Sequence, residues 1–217
     1  MALILNIETS GPSCSVAIAR EEQLIASQEI TEPRAHSAQL TSLILSGLKE
    51  SNLTFSDLDA VAVNSGPGSY TGIRIGVGTA KGLCHALDIP LISLNTLQLL
   101  ASIINEKGKS LATGLHARLN EFYFAIYDDH LNPITEPSVI TDDEIREHLK
   151  SKKNLVVSDS LERFVSPVGV HIKNASPSAI AMVSLSHAKF MTQQFENTTS
   201  FAPSYLKQAL PIKHSST

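Results

Sequence analysis

The sequence predicts an α/β protein built on a mixed sheet covered by helices. Three observations carry that expectation. Three strand-like apolar runs fall within the first 30 of the 217 residues. Helical apolar stripes then alternate with short buried strands up to about residue 105. A polar break, Glu106-Lys107-Gly108-Lys109, then precedes a second set of strands and helices.

Ala2 to Ile7 is a short, almost wholly apolar run and reads as a buried strand. The turn residues Glu8-Thr9-Ser10-Gly11-Pro12 link it to Ser13–Ala19, where Cys14, Val16 and Ile18 alternate. Gln23–Ile30 is the third strand, and Pro33 breaks the pattern. Leu40, Leu43, Ile44, Gly47 and Leu48 share one face of a helix from about Ser37 to Glu50, with Leu45 off that stripe. Asp59–Asn64 is a buried strand, Gly66–Gly72 a tight loop, and Ile73, Val77, Ala80, Cys84 and Leu87 mark a second helix. Pro90–Ser93 is a strand and Thr96–Asn105 a helix. Beyond the polar break, Leu111–Ala117 and Glu121–Tyr127 pair as strands. Asp142–Lys150 is then a helix, Leu155–Ser158 a strand and Ser176–Phe195 a long helix. Phe201–Thr217 has no periodicity, and its last residues are expected to fray.

Composition excludes several classes. With 42% apolar and 18% charged residues the chain can form a core, so global disorder is not expected. No apolar run reaches the ~18 residues of a membrane span. Met1–Ile7 has neither a basic start nor a small-residue cleavage site and is not read as a signal peptide. Two cysteines, Cys14 and Cys84, rule out a disulfide scaffold and point to a reducing compartment. A net charge of −4, no Trp and 5% aromatics argue against a broad basic face or a base-stacking platform for nucleic acid. There is no G-x-x-x-x-G-K-[ST], no complete G-x-G-x-x-G and no H-E-x-x-H, and no two histidines lie within ten residues. Ser69 lacks the flanking glycines of a nucleophile elbow, and Cys84 on its apolar stripe reads as a core thiol.

The informative stretch runs from Asn64 to Gly78: a strand ends, a Gly-rich turn follows and a helix begins. Glu8, Gly66, Gly68, Ser69 and Gly72 could form a phosphate loop, since glycines permit close backbone approach and a helix N-terminus offers free N–H groups. A tight strand–helix connection without ligand explains the same pattern. Glu8 is either a holder of a hydrated cation or a solvated turn carboxylate. The helix carries Gly72, Gly76, Gly78 and Gly82, each costing ~1 kcal/mol relative to Ala. Either the helix packs closely on its own sheet or it meets another chain. Arg74 and Lys81 are either a basic edge beside the loop or ordinary solvated charge.

Ile4–Ser10 followed by Gly66-Pro67-Gly68-Ser69-Tyr70-Thr71-Gly72-Ile73-Arg74-Ile75-Gly76 resembles the TsaB (YeaZ) family of tRNA threonylcarbamoyladenosine biosynthesis. Further likenesses are His36-Ser37-Ala38-Gln39-Leu40, Ala80-Lys81-Gly82-Leu83, Pro90-Leu91, Thr96-Leu97 with Ala101, Ala117-Arg118 with Glu121 and Tyr123, and Pro203-x-Tyr205-Leu206-Lys207. The resemblance is dense over residues 1–125 and thin afterwards. Glu8 and His116 stand where the family usually has Asp.

The resemblance implies an actin-like ATPase fold (the sugar kinase and Hsp70 superfamily). It would have an N-terminal lobe over 1–105 and a reduced second lobe over 106–217. It implies a non-catalytic, cytoplasmic scaffold with no catalytic or metal-binding residues and no cofactor of its own. Such a scaffold pairs with TsaD for threonylcarbamoyl transfer to N6 of the adenosine beside the anticodon in ANN-decoding tRNAs. TsaE joins the pair, tRNA is met through the complex, ATP or ADP belongs to the complex interface, and a homodimer forms when TsaD is absent. The partner face would include Leu40, Leu43, Ile44, Gly72, Arg74, Gly76, Thr79 and Leu83. Thr96 and Leu100 fall where TsaD has its H-x-x-x-H metal pair, and leucine cannot ligate a metal. The rival expectation is a small ATPase or kinase using Glu8 and the Gly66–Gly72 loop.

Overall fold

A computed structural model describes residues 1–31, 36–150, 155–164, 171–204 and 206. Its first sheet has β1 (Leu3–Glu8), β2 (Cys14–Arg20), β3 (Gln23–Ile30), β4 (Ala60–Asn64) and β5 (Leu91–Leu94) in the order β3-β2-β1-β4-β5. β1, β2 and β3 form an antiparallel meander, while β4 runs parallel to β1 and β5 parallel to β4. The second sheet has β6 (Ser110–Arg118), β7 (Glu121–Tyr127), β8 (Pro133–Thr141), β9 (Leu155–Ser158) and β10 (His171–Lys173) in the order β10-β9-β6-β7-β8. Its pairing repeats the first: β6 and β7, then β7 and β8, are antiparallel, and β9 is parallel to both β6 and β10. One five-strand topology therefore occurs twice.

Helices α1 (His36–Glu50) and α2 (Tyr70–Leu87) cover one face of the first sheet. There Leu40, Ile44, Ile73, Val77 and Cys84 bury against Leu5, Ile7, Val61 and Val63. The other face takes α5 (Val183–Met191), whose N-cap Met182 packs with Ile4, Ala62, Ile92 and Leu94. Helix α3 (Thr96–Ile104) is shared between the sheets. Leu99 joins the first sheet's core, whereas Leu97, Leu100, Ala101 and Ile104 meet Leu111, Ala125, Tyr127 and Val156 of the second. A helix apolar on most of its circumference needs this double burial. Helix α4 (Asp142–Lys150) covers the second sheet through Ile145 and Leu149. Among the described residues, a 3-10 segment, Asp159–Phe164, stands where the first lobe has α2. The second lobe is reduced in that sense.

Several expectations need correction. β8 and β10 were not foreseen. β8 carries Pro133 and Pro137, which read as breakers but are tolerated on a sheet edge, and β10 has only three residues. The long helix expected over 176–195 shortens to α5. Residues before 183 form turns, and Gln193 at φ 53° ends the helix. The two sheets lie on either side of residues 105 and 106, as expected of two lobes, and some packing crosses that point. Ala179 lies against Ala17 and Ala19, α5 covers the first sheet, and Glu196 bridges to Leu91. Both cysteines are free and buried, and burial pushes each thiol up to about 11. Tyr205 and 207–217, with the expected fraying, lie outside the described residues, as do the side chains of His36 and Ser37.

Because α3 closes both cores, Leu99→Ala is expected to cost about 2–5 kcal/mol in urea unfolding. A cost below 1 kcal/mol would show that the shared helix does not carry that contact.

Candidate functional site

Parallel strands β1 and β4 end side by side, and the crevice past such strand ends is the usual ligand position in α/β sheets. Here it is filled from within. The Glu8 carboxylate, wholly buried, accepts from Ser10 N at 2.5 Å, from Ser10 Oγ at 2.6 Å and from Asn64 Nδ2. Asn64 Oδ1 accepts from Gly66 N at 3.0 Å and from Thr96 Oγ1 at 2.8 Å. The network thus ties together β1, the β1–β2 turn, β4, the entry to α2 and the start of α3. Burial raises the Glu8 pKa above the usual carboxylate value, against the pull of its hydrogen-bond donors.

Glu8 is therefore neither a solvated turn carboxylate nor an open cation holder, and both expectations are corrected. Its oxygens already have protein donors, and its side chain has no exposed surface on which a hydrated ion could sit. Asn64, Ser10 and Thr96 were not singled out as its partners. Asn64 did carry a signal, a polar residue closing the apolar run Ala60-Val61-Ala62-Val63.

The Gly66–Gly72 loop is docked on the β1–β2 turn instead of standing open. Ser69 N donates to Ser10 O at 2.8 Å, and Ser69 Oγ caps α2 by accepting from Gly72 N at 3.2 Å. With Gly66 N bound to Asn64, three of the donors a phosphate would need are taken. Gly68, at φ 156°, lies so close to Ser10 that a Cβ would meet its carbonyl at 2.5 Å. A Cβ on Gly72 or Gly76 would collide with Thr9 O or Thr9 Oγ1. The fold class implies a nucleotide, but these residues do not fit its phosphates: the chain's own turn fills the cradle.

The residues expected at a partner face divide. Leu40 and Ile44 are buried in this chain's own core, because the α1 stripe that selects them is the stripe facing the sheet. Gly72 and Gly76 face Thr9 and are likewise internal. Leu43 and Leu83 are half-buried against the same core, and Thr79 is half-buried. Arg74 is exposed, with its guanidinium 3.9 Å from the centre of the Tyr70 ring. Three residues outside the expected set are open. A Cβ on Gly78 or Gly82 would meet nothing within 4 Å. Leu45 on α1 is 50% exposed.

Lys81 does not form a basic edge with Arg74, since its Nζ donates to Phe201 O at 2.7 Å. Leu100 is buried between the sheets, and Thr96 serves the Glu8 network. His116 Nε2 lies 2.9 Å from Leu119 O and packs edge-on to Phe122. Among the described residues, one trio with ligand-like spacing appears, Asp128-Asp129-His130. Asp128 there accepts from His130 N and Asn132 N, and Asp129 from Gly108 N, which are turn-forming bonds.

The repeated sheet topology, with helices on both faces of the first sheet, places the chain in the actin-like ATPase fold class. YeaZ from Pseudomonas aeruginosa superposes with a TM-score of 0.83 at 24% identity, covering 95% of this chain and 100% of that one. The ethanolamine utilization protein EutJ from Carboxydothermus hydrogenoformans gives 0.53 at 9% identity, covering 88% and 90%. A family model described as TsaD, tRNA N6-adenosine threonylcarbamoyltransferase, matches residues 23–209. The tRNA threonylcarbamoyladenosine biosynthesis protein TsaB of Escherichia coli is 34% identical over 133 residues, 60% of this chain and 57% of that protein. The protein of the same name in Bacillus subtilis is 34% identical over 124 residues, 57% of this chain and 54% of that one. The chain thus spans a little over half the length of these relatives. It belongs to the TsaD-type family and, within it, to the TsaB (YeaZ) branch.

Two outcomes test this geometry. Glu8→Gln keeps the shape but sets an amide donor against Asn64 Nδ2, which cannot turn because its Oδ1 holds Gly66 N. It is expected to lose about 1–3 kcal/mol in equilibrium unfolding. Gly72→Ala is expected to lose at least 1–3 kcal/mol, while Gly78→Ala and Gly82→Ala gain up to ~1 kcal/mol each. Equal effects at all three glycines would contradict the division into inner and outer positions.

Proposed function

We propose that this chain is an accessory subunit of tRNA threonylcarbamoyladenosine biosynthesis, paired in the cytoplasm with TsaD through the outer face of α2. The observation that carries the reading is the open pair Gly78 and Gly82. Mid-helix glycines without a neighbour of their own cost stability that a close helix–helix approach recovers. Membership of the TsaB branch supports the pathway, and the branch's relatives carry its name. Arg74 beside Gly78 adds a charged group next to the small residues.

On this reading TsaD performs the transfer to N6 of the adenosine beside the anticodon in ANN-decoding tRNAs. TsaE and tRNA are met through the assembled complex, and the same glycine face forms a homodimer when TsaD is absent. The filled crevice around Glu8 weighs against the small ATPase reading, and on the present reading any ATP or ADP is met at an interface in the complex. No described helix is long and apolar enough to cross a membrane.

The paired substitution Gly78→Glu with Gly82→Glu tests the face, because both positions have room and the fold should survive. Expected are an unchanged far-UV CD spectrum, loss of co-purification with TsaD, and at least a tenfold fall in threonylcarbamoyladenosine when the variant replaces the bacterial TsaB. Retained pairing and retained modification would move the interface elsewhere.

A further inference from the structure

Lys81 on α2 and the stretch that leads to Pro203 have no part in that reading. The fold brings them together across about 120 residues of chain. After α5 the backbone turns and runs along the β5 edge of the first sheet, where Glu196 N donates to Leu91 O at 2.8 Å. It then folds on itself: Asn197 Oδ1 accepts from Thr199 N and Ser200 N, and Phe201 N donates to Asn197 O. Phe201 packs against the first core. Finally Ser204 N donates to Ser65 O at 3.0 Å, beside the entry to α2.

Between these two end points, among the described residues, Lys81 reaches this segment from the body of the fold. Its Nζ donates to Phe201 O at 2.7 Å and to Thr199 O at 3.4 Å. The segment is otherwise thinly held. Most of residues 192–204 are exposed, and the segment has one isolated bridge instead of a ladder. Such a stretch opens separately from the sheet it lies on. A charge-assisted bond to two carbonyls is then a large share of what keeps it closed.

We propose that residues 196–204 are a strap, cooperative as a unit and separable from the rest of the fold, and that Lys81 is the positioning residue that holds it shut. The strap covers the free edge of β5 and braces Ser65 at the start of α2. Lys81 ties it to the middle of the same helix. Closing the strap thereby fixes α2 at two points, and also pairs the Leu91 carbonyl of an edge strand. The inference needs no partner chain.

Hydrogen exchange read by mass spectrometry on the full chain tests it, comparing the unsubstituted protein with Lys81→Met, Lys81→Arg and Ser204→Pro. Lys81→Met keeps the aliphatic stem and removes the donor. Expected is at least tenfold faster exchange at the amides of Glu196, Thr199, Ser200 and Phe201, with β1 and β4 unchanged. Lys81→Arg, which still donates, should stay within threefold of the parent. Ser204→Pro removes the N–H that reaches Ser65 and should free the same amides without touching Lys81. Parent-like exchange over 196–201 in both Lys81→Met and Ser204→Pro overturns the proposal. So does exchange that accelerates equally in β1 and β4, since the segment would then be part of the global fold and not a separate unit.

Discussion

A carboxylate with no access to water must find donors inside the protein or lose its charge. Glu8 meets that demand at the point where β1 ends, and the surroundings follow from it. Ser10 turns back to supply both its N–H and its hydroxyl. Asn64 closes β4 so that its amide nitrogen can reach the acid. Its oxygen is then committed to Gly66 and Thr96, which sets how the chain enters α2 and α3. The turn so ordered occupies the space that glycines 68, 72 and 76 leave beside it. A crevice that would admit a ligand in a related fold becomes a structural joint.

That joint also explains how an incomplete second lobe is tolerated. The second sheet repeats the strand order of the first but, among the described residues, has a 3-10 turn where the first has its second helix. What it lacks in its own layers is supplied by α3, which starts at Thr96 in the Glu8 network and buries its far face on β6, β7 and β9. In exchange, α5 returns from the second sheet to cover the open face of the first. Each sheet thus depends on an element that lies on the other side of the chain division at 105/106. Sequence order and packing order differ for that reason.

The first lobe was legible because its signals are local: alternating strands, 3.6-residue stripes, and turn residues between them. The second was less so. β8 holds prolines that an edge strand accepts but a sequence reading treats as breaks, and β10 pairs through residues too few to show a period. At the site, Glu8 and the glycine loop were found, but their roles were not. An acid followed by a Thr-Ser-Gly turn looks solvated until Asn64, 56 residues away, is seen to face it. Long-range pairing of that kind leaves no periodic mark. Lys81 shows the same limit: its partner carbonyl lies 120 residues on.

The four glycines of α2 show where a stronger reading was available. At 100° per residue, Gly72 and Gly76 lie 40° apart, as do Gly78 and Gly82, but Gly76 and Gly78 are separated by about 200°. The four therefore spread over about 160° of the helix surface and need not share one cause. The buried positions Ile73, Val77, Ala80 and Cys84 put Gly76 nearest the inward side and Gly82 farthest from it. The structure bears this out, with Thr9 filling the space beside the first pair and nothing within 4 Å of the second. Close packing within the chain accounts for the first pair, and the second pair faces open space. The inner pair lets the helix settle on the Glu8 joint, and the outer pair is left as an unpartnered surface held in place by that joint on one side and by the strap on another.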